Sequence, residues 1–141
     1  MKHIFFLILL NIILTASDIN LHKVKILETI MQEVTLKTQK LIWSDNQDLL
    51  YKLKDGKKLN IVNNCESANL IIIENSNILK ECKNKKIFVL KYDLLAEIKT
   101  SFGALFWKKG RPNIIILEPR INQQSIKIKD KLNPYLEDRI W

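Results

Sequence analysis

The sequence predicts a single α/β domain built on a mixed, mostly parallel sheet, with flanking helices and a hairpin near the C-terminus. Two observations predict this fold class. Short apolar runs such as Leu70–Ile73 and Ile87–Leu90 are typical of strands buried on both faces, and segments with helical periodicity separate them. The composition, 47% hydrophobic and 27% charged, is that of a globular domain.

The N-terminus has the pattern of a secretory leader. Residues 1–3 are a short basic start, residues 4–16 are an apolar run, and residues 15–17 are small. The apolar run is much shorter than the roughly 20 residues that span a bilayer, and no cysteine directly follows the cleavage zone, so nothing suggests a lipoprotein. We therefore predict a cleaved signal peptide over residues 1–17, a mature domain over residues 18–141 that works outside the cytoplasm, and no stable membrane anchor.

The first half of the mature chain is predicted to contain two helices and two short strands. Apolar residues spaced three and four apart predict a helix over Ile19–Thr35. A second helix is predicted over Asn46–Leu53, with Asp45 as its possible N-cap. The strands are predicted over Lys40–Trp43 and Leu59–Val62, with a turn at Asp55-Gly56 between the second helix and the second strand.

The second half supplies the centre of the sheet. Leu70–Ile73, Phe88–Leu90 and Ile114–Ile116 are predicted to form the core. The unit Leu70–Ile73, helix, Ile87–Leu90 is predicted to be a parallel crossover. Two further helices are predicted, a short one from a Ser76 cap through Cys82 and one over Asp93–Thr100. Strands over Ala104–Trp107 and Asn113–Leu117 are predicted around the turn Lys108–Pro112. The last elements are helical segments over Pro119–Gln124 and Asp130–Asp138, and Pro134 should delay or kink the second of these.

Cys65 and Cys82 are the only cysteines, and an even pair in an oxidising compartment predicts a disulfide. The strands ending at Val62 and starting at Asn69 are too close in sequence for a parallel crossover, so they run antiparallel if they pair. Cys65 and Cys82 then each precede a strand at the same end of the sheet. The alternative is two buried thiols. A metal site is not predicted, because His22 is the only histidine after the leader.

Charge and residue types argue against most catalytic classes. The net charge is +8, but only three of 23 basic residues are arginine and the lysines are spread along the chain, so we interpret them as solvated surface charge and predict no nucleic-acid partner. Three isolated glycines exclude a phosphate-binding glycine loop. His22 alone offers no plausible base for a serine or cysteine nucleophile. Paired carboxylates remain open, but we predict no enzyme and no cofactor.

The segment Phe102–Arg111 (FGALFWKKGR) is the most distinctive motif. One interpretation is an exposed aromatic and cationic tip that binds an acidic partner or lipid headgroups, with Trp107, Lys108, Lys109 and Arg111 as the binding residues. The other is a core hairpin whose lysines only keep its turn in water; we favour this interpretation for Phe106 and leave it open for Trp107.

The order of these elements resembles the YfiR-like family of periplasmic proteins. The matching segments, in chain order, are the amphipathic helix Lys23–Val34, the strand-helix-strand passage Leu41–Val62, Cys65 before the buried strand NLIII, the strand KIFVL, the glycine-led strand FGALFW with its charged turn, and NIIILEPRINQQ followed by a helix near Leu132–Leu136. The resemblance implies a compact fold similar to one lobe of a periplasmic solute-binding protein.

The same resemblance implies a function. The founding member of the family restrains a membrane-bound diguanylate cyclase by binding its periplasmic domain. The resemblance therefore implies a non-enzymatic regulator in cyclic di-GMP signalling whose partner is the periplasmic domain of a membrane sensor. The alternative is a small periplasmic ligand-binding protein of solute-binding type, although one small domain lacks the second lobe that closes over a solute. Whether the protein is a homodimer stays open.

Overall fold

The computed structural model describes residues 21–141, so the predicted signal peptide lies outside the described residues. The helices are α1 (residues 21–33), α2 (Gln47–Gly56), α3 (Tyr92–Glu97) and α4 (Glu118–Gln123), with 3-10 helices over Ser76–Lys80 and Asp130–Tyr135. The strands are β1 (Val34–Thr35), β2 (Ile42–Ser44), β3 (Leu70–Ile73), β4 (Lys86–Val89), β5 (Ser101–Lys108), β6 (Arg111–Leu117), β7 (Lys127–Ile128) and β8 (Leu136–Glu137).

Six of these strands form one mixed sheet in the order β2-β3-β4-β5-β6-β8. β2 to β5 are parallel neighbours, β6 is antiparallel to β5, and β8 is parallel to β6. β1 and β7 form a separate antiparallel pair. The predicted α/β domain, with a mostly parallel mixed sheet, flanking helices and a C-terminal strand pair, is confirmed, as is the parallel pairing of β3 with β4.

The sheet is covered on both faces, which explains why its central strands are continuous apolar runs. On one face, α1 packs over a cluster that contains Ile72 and Phe88. On the other face, α3 packs over Ile71, Ile73 and Val89. Every residue of β3 is buried, so the predicted core is confirmed for β3 and β4.

The predicted core is wrong in part for β6. Ile116 is buried, but Ile114 and Ile115 are only half-buried. The reason is that β8 pairs with β6 only at Ile116 and Leu117. The preceding residues of β6 extend beyond this neighbour.

The predicted strand over Leu59–Val62 is reduced to a single bridge. Ile61 pairs in parallel with Ile42 on the outer side of β2. The segment therefore does not pair with β3, whose two sides are taken by β2 and β4. The antiparallel pairing considered from the sequence does not occur.

Two helix caps differ from the predictions by one residue each. Asn46 caps α2, since its side chain accepts the backbone N–H of the third helical residue at 3.0 Å. The Asp45 carboxylate instead accepts the backbone N–H groups of Glu74 (2.9 Å) and Asn75 (3.0 Å), and so ties the end of β2 to the end of β3. Asn75, and not Ser76, caps the first 3-10 helix.

The last predicted helix, over Asp130–Asp138, is also corrected. Only the 3-10 helix forms there, with Pro134 inside it, and the chain then extends as β8. Proline cannot donate the N–H that a continuing helix requires, which is why the helix ends early. The outermost strand of the sheet is therefore β8 and not a strand of the hairpin.

The predicted disulfide between Cys65 and Cys82 is present, with Cα atoms 6.0 Å apart. Cys65 precedes β3 and Cys82 precedes β4. Because these strands are parallel and adjacent, their amino ends meet at the same edge of the sheet. The disulfide therefore links the segments that lead into β3 and β4 at this edge of the sheet.

Candidate functional site

The β5–β6 hairpin extends beyond its strand neighbours. β4 pairs with β5 only as far as Ala104, and β8 pairs with β6 only at Ile116 and Leu117. The remaining four pairs, from Leu105↔Ile114 to Lys108↔Arg111, have no further strand on either side within the described chain. We call residues 105–114 the hairpin arm; its ladder is about 10 Å long.

The loop of the arm is shorter than predicted. The ladder continues to Lys108 and Arg111, so the turn is the two residues Lys109 and Gly110. Both have positive φ, 52° and 75°, as a tight two-residue hairpin loop requires. Pro112 lies within β6 opposite Trp107, at a position whose nitrogen points away from β5 in this hairpin register, so its missing N–H breaks no ladder bond.

The structure brings the four predicted partner-binding residues together at the end of the arm. We call Trp107, Lys108, Lys109 and Arg111 the arm tip. The three cationic residues are exposed and Trp107 is half-buried. Lys108 and Arg111 are direct cross-strand partners, an arrangement of like charges that destabilises a hairpin.

Trp107 lies on the face of the arm that α1 covers. Its ring meets the His22 ring edge to face, with centroids 6.5 Å apart. Beside it is an open groove of about 420 Å³ between α1 and the C-terminal 3-10 helix, lined by residues that include Ile26, Ile114 and Tyr135. Trp107 therefore packs against α1 and also contributes to the exposed surface of the arm tip.

Phe106 lies on the opposite face and is only half-buried, which corrects its prediction as a core residue. Its ring packs against Tyr92 with centroids 5.1 Å apart. The two rings line a second groove, of about 470 Å³, that also contains Trp141. The Tyr92 hydroxyl donates to a main-chain oxygen of Trp141, and Trp141 is 76% exposed.

Sequence reasoning did not include Tyr92 and Trp141 in the site. The guanidinium of Arg139 lies 4.4 Å from the centre of the Trp141 ring, which adds a cation beside the second groove. The only available signal was the residue types themselves, aromatic and basic near the C-terminus. Their position next to Phe106 depends on the path of the chain after β6.

A second polar cluster lies at the carboxyl ends of β2 and β3. Glu74 accepts hydrogen bonds from Lys23 (3.0 Å) and Asn46 (3.1 Å). Burial raises the pKa of Glu74, but these two bonds, together with the charges of Lys23 and Lys91, outweigh that effect and hold the pKa below its ordinary value. Burial also raises the pKa of Asp45, and its backbone hydrogen bonds offset this only in part.

This cluster is better explained by structure than by ligand binding. Its carboxylates already have partners in the fold, as described above for Asp45 and Glu74. Ligands of open α/β sheets bind where the strand order reverses. Here β2 to β5 follow one another in a single direction, so these strand ends do not form such a crevice.

Two further features are absent from residues 21–141. No helix in this range is long and apolar enough to cross a membrane. No group of three or more potential metal-ligating side chains occurs in the same range. The arm tip with its two flanking grooves is thus the strongest candidate site in the described part of the chain.

The chain matches no protein-family model, no curated protein and no solved structure at a significant level.

Proposed function

We propose that the protein is a non-enzymatic periplasmic regulator that binds the periplasmic domain of a membrane sensor, such as a diguanylate cyclase, through the arm tip and modulates its signalling by inhibition. The class of partner comes from the resemblance to the YfiR-like family. The contact surface comes from the geometry of the arm.

One observation carries the choice of surface. Lys108 and Arg111 are placed directly opposite each other at the exposed end of a hairpin, where their repulsion opposes folding. Exposed charges of this kind contribute little to stability. They do accelerate association with an acidic surface, since attraction between opposite charges extends over a Debye length.

The flanking grooves support the same interpretation. A protein interface combines apolar anchors with a charged rim. The half-buried rings of Phe106 and Trp107 lie next to the tip cations, and Trp141 lies within the groove beside Phe106. An acidic partner with apolar residues at its contact would match both parts.

The compartment is part of the proposal. The disulfide of Cys65 and Cys82 is compatible with a protein outside the cytoplasm. Residues 1–17, as a signal peptide, would direct the chain there and would be removed on export. Sequencing the N-terminus of the protein from the cell envelope tests this step, and an intact Met1 would contradict it.

The alternative, a small ligand-binding protein of solute-binding type, has less support. Such proteins close two lobes around a solute, whereas the described residues 21–141 form one six-stranded sheet with a small strand pair. The two apolar grooves beside the arm are open and not enclosed by a second lobe in this part of the chain.

The experiment begins with crosslinking in the periplasm and identification of the captured membrane protein. Binding of that protein's purified periplasmic domain is then measured at low and high salt. The triple variant K108E/K109E/R111E should bind more weakly, and its binding should depend less on salt, with nearly unchanged thermal unfolding.

A matched control changes three exposed lysines elsewhere, K80E/K83E/K99E, with the same decrease in net charge. This control should retain most of the binding. Equal loss in both triple variants would assign the effect to net charge. Unchanged binding by a folded K108E/K109E/R111E protein would leave the tip only its role as a solvated turn and would refute the proposed surface.

A further inference from the structure

Lysines that are far apart in the sequence surround one cavity near the amino end of β2. The cavity has a volume of about 550 Å³ and is lined by four lysines, Lys40, Lys57, Lys58 and Lys129, and by Glu33. These residues come from the end of α1, the segment before β2, the turn after α2 and the segment after β7. We call these five residues the lysine cavity.

Of these four lysines, Lys40 has hydrogen-bond partners within the fold. The Lys40 ammonium group donates to the carbonyl oxygens of Met31 and Val34 at the end of α1 (2.6 Å to Val34). Cations are favourable at the C-terminus of a helix because the helix dipole is negative there. Lys40 therefore has a structural role, and its presence needs no ligand.

The other three lysines are not explained in the same way. The side chains of Lys57, Lys58 and Lys129 make no hydrogen bond or ion pair with any residue in the described range, and all three are exposed. The lining of the cavity therefore includes four lysines and one glutamate. Burial, and then the charge of Lys129, lower the pKa of Lys40, which agrees with mutual repulsion around this space.

We propose that the lysine cavity binds a phosphate group, either free phosphate or a phosphate monoester. Ammonium groups act as flexible point charges that suit phosphate oxygens. Glu33 lines the same cavity and repels a fully deprotonated anion. A phosphate that retains one proton can donate a hydrogen bond through its O–H group to the Glu33 carboxylate, whereas the sulfate dianion has no such donor.

This site is separate from the arm tip and does not depend on the proposed function. The arm contains the carboxyl end of β5 and extends past the carboxyl end of β4, while Lys40 precedes β2 and the cavity lies at the opposite end of the parallel strands. A phosphate compound bound there would be a second ligand of the protein.

The test is titration calorimetry of the whole protein with inorganic phosphate, glycerol phosphate and sulfate, each at constant ionic strength adjusted with chloride. Saturable binding of phosphate or of glycerol phosphate is expected, and the tighter of the two identifies the source of the group. K58Q/K129Q should weaken binding about tenfold or more through the loss of two charges. The matched control K80Q/K99Q should stay within about twofold.

The selectivity is tested separately. Sulfate should bind more weakly than phosphate, and E33Q should reduce this difference. Since Lys58 and Lys129 are exposed, the double variant K58Q/K129Q should fold. If the double variant does not fold, the single variants K58Q and K129Q replace it, and each should weaken phosphate binding. Absence of saturable phosphate binding, or equal loss in K58Q/K129Q and K80Q/K99Q, would overturn the proposal. Equal affinity for sulfate would overturn the role of Glu33.

Discussion

Arg120 should be the most important polar side chain for stability. It lies in α4, and its Nη1 atom contacts the carbonyl oxygens of Leu95 (2.8 Å), Ile98 (3.2 Å) and Ser101 (2.9 Å) and the Ser101 hydroxyl (3.2 Å). These acceptors lie at the end of α3 and the start of β5. Replacing Arg120 by Met keeps most of the apolar stem and removes all four contacts.

The magnitude follows from the number of hydrogens. Nη1 carries two N–H bonds, so four acceptors share two donors, and at most two strong bonds are lost. Hydrogen bonds to charged groups contribute about 1.5–3 kcal/mol each. Burial lowers the pKa of the Arg120 guanidinium, because the charged group loses part of its hydration. Arg120→Met removes this unfavourable desolvation, which offsets part of the loss of the hydrogen bonds. We therefore expect Arg120→Met to reduce the free energy of unfolding by about 2–4 kcal/mol.

Urea unfolding followed by circular dichroism measures this loss. The matched control is Arg111→Met at the arm tip, which removes an exposed guanidinium and should change the free energy by less than about 0.5 kcal/mol. Arg120→Lys should recover only part of the loss, since one ammonium group cannot reproduce the planar guanidinium. A midpoint for Arg120→Met equal to that of Arg111→Met, at an unchanged m-value, would refute the role assigned to Arg120.

Three further outcomes are expected. Gly103→Ala should lower the free energy of unfolding by about 1–3 kcal/mol, because an added Cβ would lie 2.7 Å from the backbone oxygen of Ile115; an unchanged urea midpoint would contradict this close approach. Reduction of the Cys65–Cys82 bond should cost about 3 kcal/mol for its 17-residue separation, measured by unfolding with and without reductant, and two freely alkylated thiols in native protein would refute the bond. The pKa of Glu74 is held below its ordinary value of 4.5, so the stabilisation that its carboxylate contributes is complete above that pH and is lost as the pH falls below it. The variant Glu74→Gln should therefore lose less of its free energy of unfolding on acidification than the original protein. An identical dependence of stability on pH in the two proteins would exclude this contribution.

Local patterns in the sequence predicted most of the elements near the site. Alternating and continuous apolar runs identified β3, β4 and the hairpin strands, because burial on both faces requires apolar residues at consecutive positions. The charged residues around Gly110 marked the arm tip, because a tight reversal at the surface must be solvated. These features depend on neighbouring residues and can be read from them.

The differences arose where two long-range partners compete for one residue. Asp45 could have capped α2, but it instead binds the backbone after β3, and Asn46 caps the helix. Phe106 has the alternation of a core residue, yet it is half-buried, because the pairing of β4 with β5 ends at Ala104, two residues before it. Neither outcome can be decided without knowing which segment lies alongside.

The sequence by itself determined the class of the fold, the pairing of its two cysteines and the location of the hairpin, since these follow from local burial patterns and a residue count. Only the tertiary structure decided that Lys40, Lys58 and Lys129 surround one cavity and that Arg120 joins α4 to the end of α3. Spread along the chain, the lysines resemble ordinary surface charge. Contacts between distant segments depend on how the sheet orders its strands and how the intervening loops close, and no local pattern encodes that geometry.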